Sequence, residues 1–171
     1  MTHRRYVRQH CFRAGLYWQG LTHDLSKYSP VEFWESVRYY QGDKSPILAC
    51  KADQGYSMGW FHHRGRNRHH WEYWVDELDH GMVPRLMPEK YAVEMFCDFL
   101  AAGKAYMGAE YTKQKEFEWW KEKRKIYVLH PVIKEFIDTC FVTYLTLGEG
   151  CTLDQDRLHR IYQTCKERNE A

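Results

Sequence analysis

The sequence predicts an all-α fold, a compact single-domain bundle of about six to eight helices spanning residues 1–171. Three observations predict it. Serine-proline and lone proline signals recur ahead of apolar residues at three- and four-residue intervals. Period-two alternation is nearly absent. Valine and isoleucine are not gathered into the short runs that mark strands.

Taken in order, residues 2–19 carry helical spacing with few breakers. Ser29-Pro30-Val31-Glu32 reads as a helix start: serine caps, proline suits the first turn and glutamate closes a capping box. Ser45-Pro46 opens another helix the same way. The segment 59–75 is expected to be interrupted near Gly65 and Arg66. After Pro88 comes a long amphipathic stretch with Tyr91, Ala92, Met95, Phe96, Phe99 and Leu100 at helical intervals. The run from Lys113 to Lys125, mixed with Glu116, Glu118 and Glu122, reads as a solvated helix face. Pro131 begins a further apolar helix. Thr152 with Gln155 marks the last start, with a helix running to about residue 168.

Hydrophobic residues make up 44% and aromatic residues 16% of the chain, a globular composition rather than a disordered one. No run is long and apolar enough to cross a bilayer, and the N-terminus lacks the apolar core of a secretory signal. The expected setting is the cytoplasm. Six cysteines without a CxxC pair read as free thiols rather than a disulfide frame or a zinc-thiolate site. A net charge of +2 weighs against a bulk nucleic-acid surface. The loop carrying Arg64, Arg66 and Arg68 beside Trp71 is too isolated to extend one. Trp71, Tyr73 and Trp74 are expected to pack in the core rather than stack bases.

The chemistry lies in ten histidines and a few carboxylates. His3 and His10 are seven apart and share a helix face. His23-Asp24 follow, then His62-His63, a short basic loop, and His69-His70. Asp98 sits in an otherwise apolar helix, with Glu94 near its face. A buried carboxylate must be paired or hold a metal, and imidazole with carboxylate suits zinc, iron, manganese and related ions. A divalent metal centre built on His23 and Asp24 is therefore expected, drawing ligands from distant segments. One histidine of each adjacent pair is expected to face inward. His10 is expected to be partly exposed if His3 is a ligand. Asp24, His23 and Lys27 share a side of one turn, and Lys27 is placed to meet an anionic oxygen as a point charge.

At these residues the chain resembles the HD-domain superfamily of metal-dependent phosphohydrolases, whose pattern is a histidine, an HD pair and a distant aspartate on an all-α fold. His3, His23, Asp24 and Asp98 match that order, and the string HDLSK at 23–27 is similar to the HDxxK form. The histidine pairs followed by a glycine-containing loop resemble the HD-GYP subgroup, but the GYP tripeptide is missing. The strings GLYWQGLTHDLSKYSPVEF, HHRGRNRHHWEYW and MPEKYAVEMFCDFLAAGKAYMG look like a bacterial and phage family of unknown function, over nearly the whole chain.

The resemblance implies a hydrolase of a nucleotide or another small phosphate ester. It uses one or two divalent ions, with manganese, zinc, cobalt, nickel and iron as candidates. His3, His23, Asp24 and Asp98 would form the primary ligand set, and His63 and His70 would hold a second ion. Asp24 and Lys27 would be catalytic, while Lys27, Arg64, Asn67 and Arg68 would meet a small anionic, phosphate-containing ligand. Two other readings stay open: a diiron oxygenase, which some superfamily members are, and a non-catalytic metal-binding module.

Overall fold

The computed structural model describes residues 2–42 and 45–170. Among them are ten α-helices and one small hairpin. The helices are α1 (Thr2–Arg13), α2 (Tyr17–Thr22), α3 (Pro30–Arg38), α4 (Pro46–Gln54), α5 (Met58–Arg66), α6 (Glu89–Met107), α7 (Lys113–Ile126), α8 (Pro131–Leu147), α9 (Glu149–Thr152) and α10 (Gln155–Glu170). The fold is mainly α, as expected, with a helix count a little above six to eight.

The surplus has identifiable causes. Residues 2–19 are not one helix, because the chain turns at Gly15 with φ of +74°, a left-handed conformation that glycine adopts without a Cβ penalty. The last start is also divided. Thr152 ends the four-residue α9, and the Asp154 carboxylate accepts from the backbone N–H of Arg157 to cap α10. Strands β1 (Val75–Leu78) and β2 (Gly81–Pro84) pair antiparallel across Asp79 and His80. Four-residue strands carry too few positions for an alternation signal.

Helix α6 is the axis of the core. Ala92, Val93, Met95, Phe96, Cys97, Phe99, Leu100 and Ala101 are all buried on it. It packs against α1 on one side and α8 on the other, and α10 closes over α8. Phe96 and Phe141 meet edge to face, and Trp120 stacks on Phe141. Trp71 and Trp74 pack against this core while Tyr73 lies more exposed. All six cysteines are free and five are buried. No helix among the described residues is long and apolar enough to cross a membrane.

Helix α3 is built the other way round. Its one buried residue is Glu32, whereas Val31, Phe33, Trp34 and Val37 are exposed. The amide of Glu32 donates to the Ser29 hydroxyl, so the serine caps as expected. The Glu32 carboxylate closes no capping box. It turns inward to α5, where it accepts from His62 and His63.

Candidate metal centre

Four segments converge on one point. The first is the start of α1, which supplies His3. The second is the turn after α2, where His23 adopts extended backbone (φ −48°, ψ 124°) and Asp24 a left-handed one (φ 57°, ψ 27°). Asp24 is the one non-glycine residue with positive φ among the described residues. Adjacent residues on a helix diverge by about 100°. This kink lets two consecutive side chains face the same point. Aspartate tolerates the left-handed region better than most residues, and such strain is commonly kept where a site requires it.

The third segment is the end of α5 and the turn beyond it. His63 is buried on α5, while His62 stays at its edge and outside the cluster. His69 and His70 both face inward, which corrects the expectation of one residue per pair. The expectation holds on a helix, but these two lie in the turn after α5, with ring centroids 4.3 Å apart. The fourth segment is α6, carrying Glu94 and Asp98 one turn apart.

The donor atoms form connected groups: Asp24 with His63, His69 and His70; His3 with His23 and Asp98; and His23 with His69 and Glu94. Asp24 joins the first two. Its Oδ2 is 3.4 Å from His23 Nε2, and its Oδ1 is 3.2 Å from His63 Nε2 and 3.4 Å from His69 Nε2. Asp98 Oδ1 lies 3.0 Å from His3 Nε2 and 3.4 Å from His23 Nε2. These buried histidine and carboxylate side chains could hold a metal ion.

The outer faces of the imidazoles are fixed. His23 Nδ1 donates to Glu94 Oε1 at 2.9 Å, and His69 Nδ1 lies 3.1 Å from the same oxygen. His63 Nδ1 donates to Glu32 Oε2 at 2.7 Å. With Nδ1 engaged, each ring turns Nε2 inward, the arrangement by which a carboxylate orients a metal-binding histidine. Asn67 donates to the Ser26 hydroxyl at 2.7 Å and to the His63 carbonyl at 2.8 Å, so it braces this wall. Glu94 was visible in the sequence as a charged residue four before Asp98 on an apolar helix. The inward roles of His69 and Glu32 had no such signal.

Burial alone would neutralise the carboxylates, but their neighbours prevent it. Burial pushes Asp24 up, yet His23, Lys27, His63 and His69 hold it well below its ordinary range. Asp98 is held down likewise by His23 and His3. Burial pushes His23 down, and Asp24, Asp98 and Glu94 outweigh it, leaving its pKa well above the ordinary value. His70 is pushed well below it, by burial first and then by His69 and His63, and stays neutral. The carboxylates thus demand positive charge at this point.

Beside the cluster lies a cavity of about 250 Å³, into which Lys27 also faces. Lys27 Nζ is 2.6 Å from Asp24 Oδ2. Arg64 and Arg68 do not line this cavity, although Arg68 lines a second one, of about 320 Å³, with Asn67, His23, His69 and Glu94. Arg64 lies over the Phe61 ring, and Arg68 donates to the Tyr91 hydroxyl at 3.2 Å. His10 is not partly exposed, as expected, but buried in a separate network with Lys104 and Glu149.

Fold and site together define an all-α protein with a buried histidine–carboxylate cluster opening on a small cavity. Residues 1–142 match the model of DUF5662, a family of unknown function, and the chain belongs to that family. Every residue of the cluster falls within the matched segment. No curated protein and no solved structure matches the chain.

Proposed function

We propose that this protein is a metal-dependent phosphohydrolase acting on a nucleotide or another small phosphate ester. The observation that carries the reading is the place of Asp24, whose two oxygens face different histidine groups. That arrangement supports two ion positions sharing one carboxylate: His3, His23 and Asp98 on one side, His63, His69 and His70 on the other.

The residues fit such ions. Eight buried side-chain polar atoms among the described residues have no hydrogen-bond partner, and five belong to this cluster: His3 Nδ1, His23 Nε2, Asp24 Oδ1, His69 Nε2 and His70 Nε2. Buried polar atoms are almost always satisfied, and a concentration of exceptions marks a missing ion or water. Bound divalent ions polarise a phosphoryl oxygen and make water a nucleophile near neutral pH.

The chain's own groups supply the remainder. Lys27 faces the cavity from the edge of the cluster, where its ammonium meets a phosphoryl oxygen as a point charge. Glu94 and Glu32 hold three imidazoles in one tautomer and orientation. The adjoining cavity leaves an open side, as a catalytic rather than a closed structural site requires.

The test is phosphate release from a panel of nucleotides and phosphate monoesters with manganese, cobalt or nickel, beside metal analysis of aerobically purified protein. Turnover that is lost in Asp24→Asn supports the reading. No turnover with any metal overturns it. Two irons per chain with a charge-transfer band and substrate-dependent oxygen uptake would replace hydrolysis by a diiron oxygenase.

A further inference from the structure

The cavity beside the cluster has a composition that the proposed hydrolysis does not require. Six aromatic rings line it, from Trp60, Trp71, Phe99, Tyr106, Trp119 and Tyr127. They come from α5, the turn after it, α6, α7 and the residue that follows α7. Trp71 and Tyr127 stack with centroids 5.3 Å apart and planes at 27°. Phe99, Trp71, Trp119 and Tyr127 also pack in or against the core, but core packing does not account for Trp60 or for Tyr106, which is 70% exposed and still borders the cavity.

Cations are scarce by comparison. Among the described residues Lys27 is the one lysine or arginine in the lining, and it is already within 2.6 Å of Asp24. Proteins that hold the phosphate chain of a nucleoside triphosphate line it with several cations or backbone N–H groups. Size points the same way. The cavity, at about 250 Å³, is smaller than the ~300–1,000 Å³ typical of pockets for drug-sized ligands.

Resting on the phosphohydrolase reading, we infer that the substrate is a phosphate monoester of a compact aromatic or apolar alcohol, not a nucleoside triphosphate. The single phosphoryl group sits toward Asp24 and Lys27. The organic part lies against the aromatic walls, where offset or edge-on ring contacts favour a flat group.

The test uses protein loaded with manganese and three non-hydrolysable probes: methylphosphonate, phenylphosphonate and a non-hydrolysable adenosine triphosphate analogue. Calorimetry gives affinities, and tryptophan fluorescence reports contact with Trp60, Trp71 and Trp119. Phenylphosphonate is expected to bind about tenfold more tightly than methylphosphonate, the scale of a good aromatic contact, and to change the fluorescence. Tyr106→Ala, at an exposed rim position, is expected to cut that preference severalfold while leaving methylphosphonate unaltered. Equal affinity for the two phosphonates, or tighter binding of the triphosphate analogue, overturns the inference and leaves hydrolysis standing. Failure of all three probes on metal-loaded protein overturns both.

Discussion

The packed pair of α1 and α6 carries two polar clusters, and they are built on opposite principles. At one end His10 faces Lys104; at the other His3 faces Asp98. The His10 cluster satisfies itself. His10 Nδ1 donates to the Cys97 carbonyl at 3.1 Å, its Nε2 is 3.2 Å from Lys104 Nζ, and Glu149 pairs with both Lys104 and Arg13. The His3 cluster gathers Asp24, Asp98 and Glu94 among imidazoles, and unpartnered atoms collect there. A buried histidine beside a lysine is a strut, held neutral. A buried histidine among carboxylates with open nitrogens is placed to meet a cation. The residue type is the same at both ends, and its neighbours decide the role.

The sharpest way to break this contrast is Asp24→Asn. The side chain keeps its shape but loses the charge that both histidine groups face. Metal content is expected to fall from about two ions per chain to near zero, with helical circular dichroism retained. Full metal content in the variant would remove Asp24 from the centre.

Glu94→Gln comes next. Glutamine cannot accept as strongly from His23 and His69 at once, so metal affinity is expected to drop roughly 10- to 100-fold in competition with a chelating dye. An unchanged affinity would make Glu94 a bystander.

Acidity should separate the two ends further. His23 holds its proton above the ordinary imidazole pKa because of Asp24, Asp98 and Glu94, after burial has pulled the other way. A proton and a metal ion compete for it, so metal affinity should rise with pH through and above the ordinary imidazole range. A metal titration that is flat from acid to mildly alkaline pH would contradict this.

The smallest effect on the metal belongs to His10→Gln, which should leave its content unchanged. Its signature is in stability. Burial lowers the His10 pKa from 6.5 to about 4. The unfolded chain therefore binds the extra proton first, and this histidine's contribution is lost as pH falls from 6.5 toward about 4. Its full size is on the order of 3 kcal/mol. Urea unfolding of metal-free protein across that range should show the slope, and His10→Gln should flatten it.

Much of the architecture was legible because it rests on local chemistry. Ser29-Pro30, Pro131 and the apolar rhythm after Pro88 mark the helices that carry and bury the site. The HD pair, His3, His63, His70 and Asp98 were also legible, since buried polar residues in such company must find partners, and the structure brings them together. What failed depended on tertiary context. The break at Gly15 divides what reads as a single helix. His69 escapes the expectation of one inward residue per pair, because the chain has already left α5 there. Glu32 has the sequence of a capping-box residue and spends its carboxylate across the gap to α5 instead. Arg64 and Arg68 read as phosphate ligands by charge and proximity; neither lines the cavity that Lys27 faces, and Arg68 instead borders a second one beside His23, His69 and Glu94. Nothing in a linear string distinguishes these outcomes, because each is set by a segment tens of residues away.

Whether Asp24 joins two metal positions is read directly by anomalous diffraction from crystals of protein purified without chelator. Two peaks are expected above the absorption edge of the bound metal, one on each side of Asp24. Each should lie about 2.0–2.2 Å from an Asp24 oxygen and from the inward nitrogens of the neighbouring histidines. A cluster without any anomalous peak, its carboxylates neutralised by protonated His23 and by Lys27 alone, would contradict it.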